Sequence, residues 1–478
     1  MFKRYIVRGF VLLLIPAAFS IGIPTVGMAQ DASEPIKLKA ESSEDAQDVY
    51  ADGASYQNGG KFEIAIEEWV KFRDAYSDDP LAPKAIYYLG ICSLQLKKYD
   101  EAAAAFEFTA TRYEKHENSE AAYFYWGRTR YAQALGAQNA EKRMTHFGTA
   151  ISAFGKQLEL FEKGPLSDQA FYLRGESFYN QNDKTKAIAD YRAVVTGFPK
   201  SAYRQDAIYV LGATLEEEEK YKEAGVAYDL FLKEFPESGL RTEVRMRKAE
   251  SMLQDDRFEE AARIFAEVAA VEGFEHATRS RLRQAFCLVN LEQFDDASTI
   301  YQSVFAATED ADHKKTAVTQ LNVLCRKYIE KKLYNKSLAL AQQMAEKADT
   351  EDLKVRFRMA AADSLDGQTK YGESRPRYLA IAKDHEKHVL APDALYFAAF
   401  AAFQLKEYDN VLSDASVFSE KYAGHEFDKD VSRLVQESRV LKSVVLFKAE
   451  NFAETIELLN AVVKDNPKGK RVAESLLL

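Results

Sequence analysis

Eleven positions recur along this chain of 478 residues at a nearly constant interval: Phe62, Tyr99, Phe147, Lys184, Tyr221, Phe258, Phe294, Tyr334, Tyr371, Tyr408 and Phe452. Six of the ten intervals are 37 residues, and ten of the eleven positions are aromatic in a chain that is 12% aromatic. Chance would place about one aromatic there, so the chain is built from repeats.

Each recurring position heads a local pattern. Three residues on comes a small or short residue: Ala65, Ala102, Ala150, Ala187, Ala224, Ala261 and Ala297, then Ser337, Ser374, Val411 and Thr455. Seven residues on comes a large ring: Trp69, Phe106, Phe154, Tyr191, Tyr228, Phe265 and Tyr301. Offsets of three and seven share one face of an α-helix, so each unit holds a helix whose buried stripe runs large, small, large. Nine residues before the anchor stands another small residue, as at Gly53, Gly90, Gly175, Gly212, Ala249, Ala285, Ala362 and Ala399. A small side chain there admits the ring of a neighbouring helix, which makes each unit a helical hairpin. One hairpin buries too little apolar surface to offset the entropy of ordering it, so neighbouring units must stack. Two intervals are longer, by 11 residues before Phe147 and by 7 before Phe452. These are close to three and two helical turns, and either a lengthened helix or a surface loop fits them.

The unit from Gly212 through Tyr221, Ala224, Tyr228 and Pro236 resembles the tetratricopeptide repeat; Gly175, Lys184, Ala187, Tyr191 and Pro199 match it with one departure. The resemblance covers roughly residues 46–466. It implies an all-α fold, a right-handed α-solenoid of about eleven helix-turn-helix repeats. The 37-residue length and the FPxS stretches at Phe198–Ser201 and Phe235–Ser238 are similar to repeats of bacterial envelope proteins, the BamD-type outer-membrane assembly lipoproteins and the Tol-Pal-associated coordinator of cell division. The chain differs from both in having many more repeats, no lipid-bearing cysteine and no N-terminal coiled coil.

The N-terminus reads as an export signal. A basic MFKRYIVR precedes an apolar run broken by Pro16, and Gly27 and Ala29 put small residues where a signal peptidase reads, for cleavage between Ala29 and Gln30. An uncleaved anchor is the other reading, since Phe10 to Met28 is uncharged. The expected organisation is a signal peptide over 1–29, a polar linker over 30–45, the solenoid over 46–466, and over 467–478 the start of a truncated repeat or a terminal helix. A solenoid end wants a polar cap and the last three leucines oppose that, so a covering partner, a folded-back helix or a longer repeat protein is expected there.

The net charge of −10 disfavours nucleic acid and anionic membrane surfaces, leaving membrane contact only through partners or an uncleaved anchor. Cys92, Cys287 and Cys325 lack a metal or redox spacing and sit in the small-residue columns, which makes them buried spacers. No nucleophile, phosphate loop or metal spacing stands out, so no catalytic residue, cofactor or metal is expected. His385 and His388 share one helix spacing and read as a solvated helix end; Glu216 to Glu219 read as a solvated turn.

What remains is a surface. A second stripe on the first helix of each unit holds Tyr87, Ile91 and Leu94, then Phe124, Arg128 and Tyr131, then Tyr172, Glu176 and Tyr179, then Tyr209, Ala213 and Glu216, with amides such as Asn180 following. In tetratricopeptide arrays this stripe lines a concave groove for peptides or helices, to which rings bring contact area and amides bring hydrogen bonds. Tyr87, Leu94, Arg128, Tyr131, Tyr172, Glu176, Tyr179, Asn180 and Tyr209 are therefore the candidate partner-binding residues. The tyrosines have a second reading as half-buried structural residues. The expected function is an exported, non-catalytic scaffold for protein–protein interaction in the bacterial envelope, in outer-membrane assembly or division coordination. The alternatives are a subunit of a polysaccharide export or secretion system, and the repeat region of a longer multidomain protein.

Overall fold

The computed structural model describes residues 35–465, 467, 469 and 471–477. The signal peptide and its cleavage site at Ala29 and Gln30 lie outside the described residues. The described chain is all-α and divides into two compact units, up to Asp255 and from Asp256 onward.

The first unit contains eleven helices. They are α1 (Glu44–Asn58), α2 (Phe62–Ala75), α3 (Ala82–Gln95), α4 (Tyr99–Arg112), α5 (Ser119–Gly136) and α6 (Ala140–Leu160). There follow α7 (Ser167–Asn180), α8 (Lys184–Gly197), α9 (Arg204–Glu217), α10 (Tyr221–Glu234) and α11 (Arg241–Gln254). The second unit holds α12 (Phe258–Ala269), α13 (Ala277–Asn290), α14 (Phe294–Ala307), α15 (Ala311–Glu330), α16 (Tyr334–Lys347) and α17 (Glu351–Gly367). It continues through α18 (Tyr371–Asp384), α19 (Ala391–Gln404), α20 (Tyr408–Lys421), α21 (Asp428–Lys448), α22 (Phe452–Asp465) and α23 (Val472–Leu477). Within each unit every helix packs on the one before it and the one after it, an array of helix-turn-helix repeats.

Ten of the eleven recurring residues are the first residue of a helix, and the small and large columns pack as their spacing predicts. At Gly212 an added Cβ would lie 2.5 Å from the ring of Tyr228, and at Gly90 2.6 Å from that of Phe106. Only a missing side chain lets these rings seat against the facing backbone. Tyr228, Phe106, Trp69, Phe154 and Tyr191 are all fully buried.

The hairpin turns share one device. Two residues before the anchor the backbone turns left-handed, with φ near +60° at Lys97, Asn182, Glu219, Asp256, Glu292, Lys332, Thr369, Lys406 and Glu450 and +71° at Gly60. The following N–H closes the preceding helix, as where Lys98 donates to the carbonyl of Ser93 at 2.8 Å and Lys220 to that of Leu215 at 2.9 Å. This six-residue closure satisfies the last carbonyls of the first helix and starts the second in a fixed direction.

Phe147 is the exception, lying seven residues inside α6. Both helices of its hairpin are lengthened: α5 has 18 residues and α6 has 21, against 14 in most others. Its small partner is Gly127, where an added Cβ would meet Phe154 at 2.7 Å. The seven extra residues before Phe452 likewise extend α21 to 21 residues. Both insertions are whole helical turns and not surface loops. The polar segment before α1 is held in place where it is described: the Ile36 N–H donates to the Arg112 carbonyl at 3.0 Å, the Lys39 N–H to the Asp78 carbonyl at 2.8 Å.

Candidate protein-binding face

Each hairpin puts one face of its first helix beside that of the next. In the first unit α5 touches α7 and α9 touches α11; in the second, α13 touches α15, α15 touches α17 and α19 touches α21. No two second helices approach as closely among the described residues. First-helix side chains from successive hairpins therefore form a shared face within each unit.

The sequence-predicted residues divide into three groups. Tyr131 and Tyr172 are corrected to core: Tyr131 packs its ring on Phe147 at 5.8 Å, and Tyr172 packs on Tyr203 at 4.9 Å and Tyr191 at 6.1 Å. Burial pushes both hydroxyls well above the usual tyrosine range. Asn180 is exposed, yet its amide donates to the Glu176 carbonyl of its own helix at 2.8 Å, so its job is to close α7. Asn290 does the same with Phe286 at 2.9 Å. On the face itself stand Arg128, exposed and 5.8 Å above the Tyr125 ring, and the half-buried Tyr87, Leu94, Glu176, Tyr179 and Tyr209.

Polar contacts across neighbouring first helices organise this face. The Tyr179 hydroxyl donates to Glu217 at 2.7 Å, and the Tyr209 hydroxyl to Glu243 at 2.7 Å. Arg247 reaches Glu216 at 3.0 Å and Glu243 at 3.2 Å and lies 5.5 Å over the Tyr209 ring. The expected solvated turn at Glu216 to Glu219 is thus corrected: Glu216 and Glu217 are the last turn of α9 and pair inward, while Glu219 is the left-handed turn residue.

The Tyr191 hydroxyl donates to Glu176 at 2.7 Å, and Asp206 on α9 is the charged neighbour of that carboxylate. Burial raises both carboxyls above their ordinary range. The second unit repeats the arrangement: the Tyr378 hydroxyl donates to Asp363 at 2.8 Å, with Asp393 and the exposed Arg326 nearby. Burial of Asp363 pushes its pKa up to about 6. The sequence carries a signal for this, because Glu176, Tyr191, Asp206 and Tyr209 have the spacing of Asp363, Tyr378, Asp393 and Tyr396.

The histidines have a structural use that the helix spacing did not show. His388 accepts at Nδ1 from the Leu390 N–H at 3.1 Å, as Ser201 accepts from Tyr203 at 3.0 Å and Ser238 from Leu240 at 3.2 Å. His116 and His425 fill the same slot, capping the turn between hairpins. His385 and His388 turn to different acidic residues, Glu351 at 3.6 Å and Asp352 at 3.1 Å. Asp393, His425 and Glu426 lie close enough to hold a metal ion. With Nδ1 of His425 accepting from the Phe427 N–H at 3.4 Å, however, the proton sits on Nε2, which faces Asp393 at 3.6 Å as a donor and not as a ligand.

Burial lifts the Cys92 thiol to about 11 and the Cys325 thiol to about 12, and Cys287 is buried as well, so all three behave as core spacers. No helix among the described residues is long and apolar enough to cross a membrane.

The geometry defines an array of paired helices with a polar, tyrosine-bearing face in each unit, and comparison with known proteins gives it a family. The tetratricopeptide repeat model matches residues 50–115 and 139–202, so these two stretches are tetratricopeptide repeats. Among solved structures, a chain of the Naa15/Naa10 complex bound to HypK-THB is 13% identical over 90% of this chain and 64% of that one, with TM-score 0.43. The C-terminal part of a TPR repeat-containing protein from Cytophaga hutchinsonii is 16% identical over 55% of this chain and 97% of that one, with TM-score 0.38. A tetratricopeptide repeat protein from Parabacteroides merdae is 13% identical over 57% of this chain and 98% of that one, with TM-score 0.33. No curated protein matches.

Proposed function

We propose that the chain is a non-catalytic scaffold that captures segments of other proteins on the first-helix face of its units. The observation that carries this is the face itself. It holds exposed Arg128 and half-buried Tyr87, Glu176 and Tyr209 on four successive first helices, α3, α5, α7 and α9. Rings and charges fixed by neighbouring helices lose little freedom when a partner lands on them, which favours recognition. We further propose an exported protein of the bacterial envelope, on the strength of its N-terminal signal and the FPxS repeats similar to those of envelope proteins.

Photo-crosslinking tests the first reading. A benzoyl-phenylalanine at position 128 or 209 should trap protein partners in intact cells, and one at Val226, 70% exposed on a second helix, should not. Equal trapping at all three positions would remove the face from consideration. Mass spectrometry of the mature N-terminus should find Gln30 first and the protein outside the cytoplasm.

A further inference from the structure

Equivalent tyrosines meet two fates along the first unit. Tyr50, Tyr87 and Tyr209 each stand twelve residues before a recurring position. Tyr209 on α9 donates its hydroxyl to Glu243 on the next first helix, 34 residues on. The same step from Tyr50 on α1 reaches Lys84 on α3, itself a donor, and from Tyr87 on α3 it reaches Ala121 on α5, which offers no polar side chain. Among the described residues the hydroxyls of Tyr50, Tyr87, Tyr88 and Tyr125 make no hydrogen bond within the chain, although all four residues are half-buried.

Their rings run as one platform across three hairpins. Ring centroids lie 5.2 Å apart from Tyr50 to the buried Trp69 of α2, 5.9 Å from Trp69 to Tyr88, 5.8 Å from Tyr88 to Tyr87, and 6.2 Å from Tyr87 to Tyr125. Arg128 then covers the Tyr125 ring at 5.8 Å. Rings held this way by their neighbours have little freedom left to lose when a partner lands. Lys84 and Arg128 make no ion pair among the described residues, and α3 contains no acidic residue. The platform thus offers four hydroxyls, an ammonium and a guanidinium as donors, none matched by a carboxylate of the described chain.

That inventory selects the occupant. An α-helix commits its backbone carbonyls to its own N–H groups and would leave the hydroxyls unanswered. A polyproline II segment makes no internal hydrogen bonds, so its carbonyls are free to accept, and its prolines carry no N–H that would need an acceptor from the platform. Proline rings also lay apolar surface on tyrosine at small entropy cost, because the segment is already extended before it binds. We propose that the first-helix face of α1, α3 and α5 receives a proline-rich segment of a partner protein in the polyproline II conformation, with Tyr50, Tyr87, Tyr88 and Tyr125 donating to its carbonyls. This rests on the reading of the first-helix face as the binding face, and it assigns the partner of the first three hairpins.

The test uses the full chain and a fluorescent peptide of ten prolines, read by anisotropy. A Ser-Glu peptide of the same length stands for charge alone, and an alanine-rich helical peptide for a helix. The proline peptide should bind, and each of the others at least tenfold more weakly. The quadruple variant Tyr50→Phe, Tyr87→Phe, Tyr88→Phe, Tyr125→Phe keeps the rings and removes the donors. It should lose at least tenfold in affinity for the proline peptide while circular dichroism and thermal melting stay unchanged, since the fold uses none of these hydroxyls. Tyr328→Phe, whose hydroxyl is already given to Asp295 at 2.7 Å, should change affinity less than twofold. Failure of the proline peptide to bind, undiminished binding by the quadruple variant, or equal binding of the helical or Ser-Glu peptide would overturn the assignment. If the proline peptide fails while crosslinks at positions 128 and 209 persist, the proline-rich partner falls and the binding face stands; if those crosslinks are missing too, both fall.

Discussion

Thr369 shows what a single residue contributes to this array. It is β-branched and sits at φ +61°, where side chains other than glycine crowd the backbone, because its hairpin turn, like those of all the hairpins but α5–α6, places a left-handed residue there. Thr369→Gly should therefore stabilise the protein by about 1 kcal/mol and Glu219→Gly by somewhat less, both seen as a raised Tm. Asp363 works the other way, through charge. Its folded pKa of about 6 lies above the unfolded carboxylate value, so the folded state binds more protons between about pH 4 and pH 6. Stability contributed by the protonated form is present below the unfolded value and is lost as the pH rises through 6. Asp363→Asn should raise stability at pH 8 by on the order of 1–2 kcal/mol and have little effect at pH 4, read from thermal melts at the two pH values. Tyr172 marks the limit of sequence reading at this scale: helical spacing put it on the outward stripe, but the ring of Tyr203 from the following turn folds over it, and no local pattern reports a cover from the next repeat.

At the scale of elements, the large and small columns were legible because steric fit is written in residue size. Where the first helix lacks a side chain, the second helix places a ring, as Tyr228 sits against Gly212, where an added Cβ would lie 2.5 Å from it. Gly212→Ala should cost about 1–3 kcal/mol in a urea melt, and Ala224→Leu, on the buried side of α10, a similar amount. Unchanged midpoints for both would refute the packing described for α9 and α10. Phe147 stands in the right column but has no small residue nine positions before it, because its hairpin carries about three additional turns divided between α5 and α6, which places the small residue at Gly127. The spacing fitted a lengthened helix or a surface loop equally; in the structure α5 has 18 residues and α6 has 21, so both helices took up the extra length.

At the scale of the whole molecule, the repeats make stability a shared property. The second helices are mostly 14 residues long, at the edge of what an isolated helix sustains in water. A synthetic hairpin spanning residues 204–238 should show little helix by circular dichroism, while the full chain melts with high helicity. A hairpin that melts as sharply as the parent would mean that stacking is not what holds these helices. The acidic balance was visible from composition, and the array from the spacing of its aromatic and small residues. The carboxylate pairs were not, since Asp206 and Asp393 fall one hairpin beyond the tyrosine that marks each site and look like ordinary first-turn acids on their own helices.

Whole-turn growth at α5, α6 and α21 has an outcome for how such a chain can change. A segment added in steps of about 3.6 residues projects beyond its neighbours without disturbing any ring already seated, so the molecule can gain reach at its rim while its interior stays fixed. Epitopes or reporter helices spliced into residues 140–146 in multiples of seven should leave folding untouched, whereas a splice of five would swing the loop to the wrong side of α5.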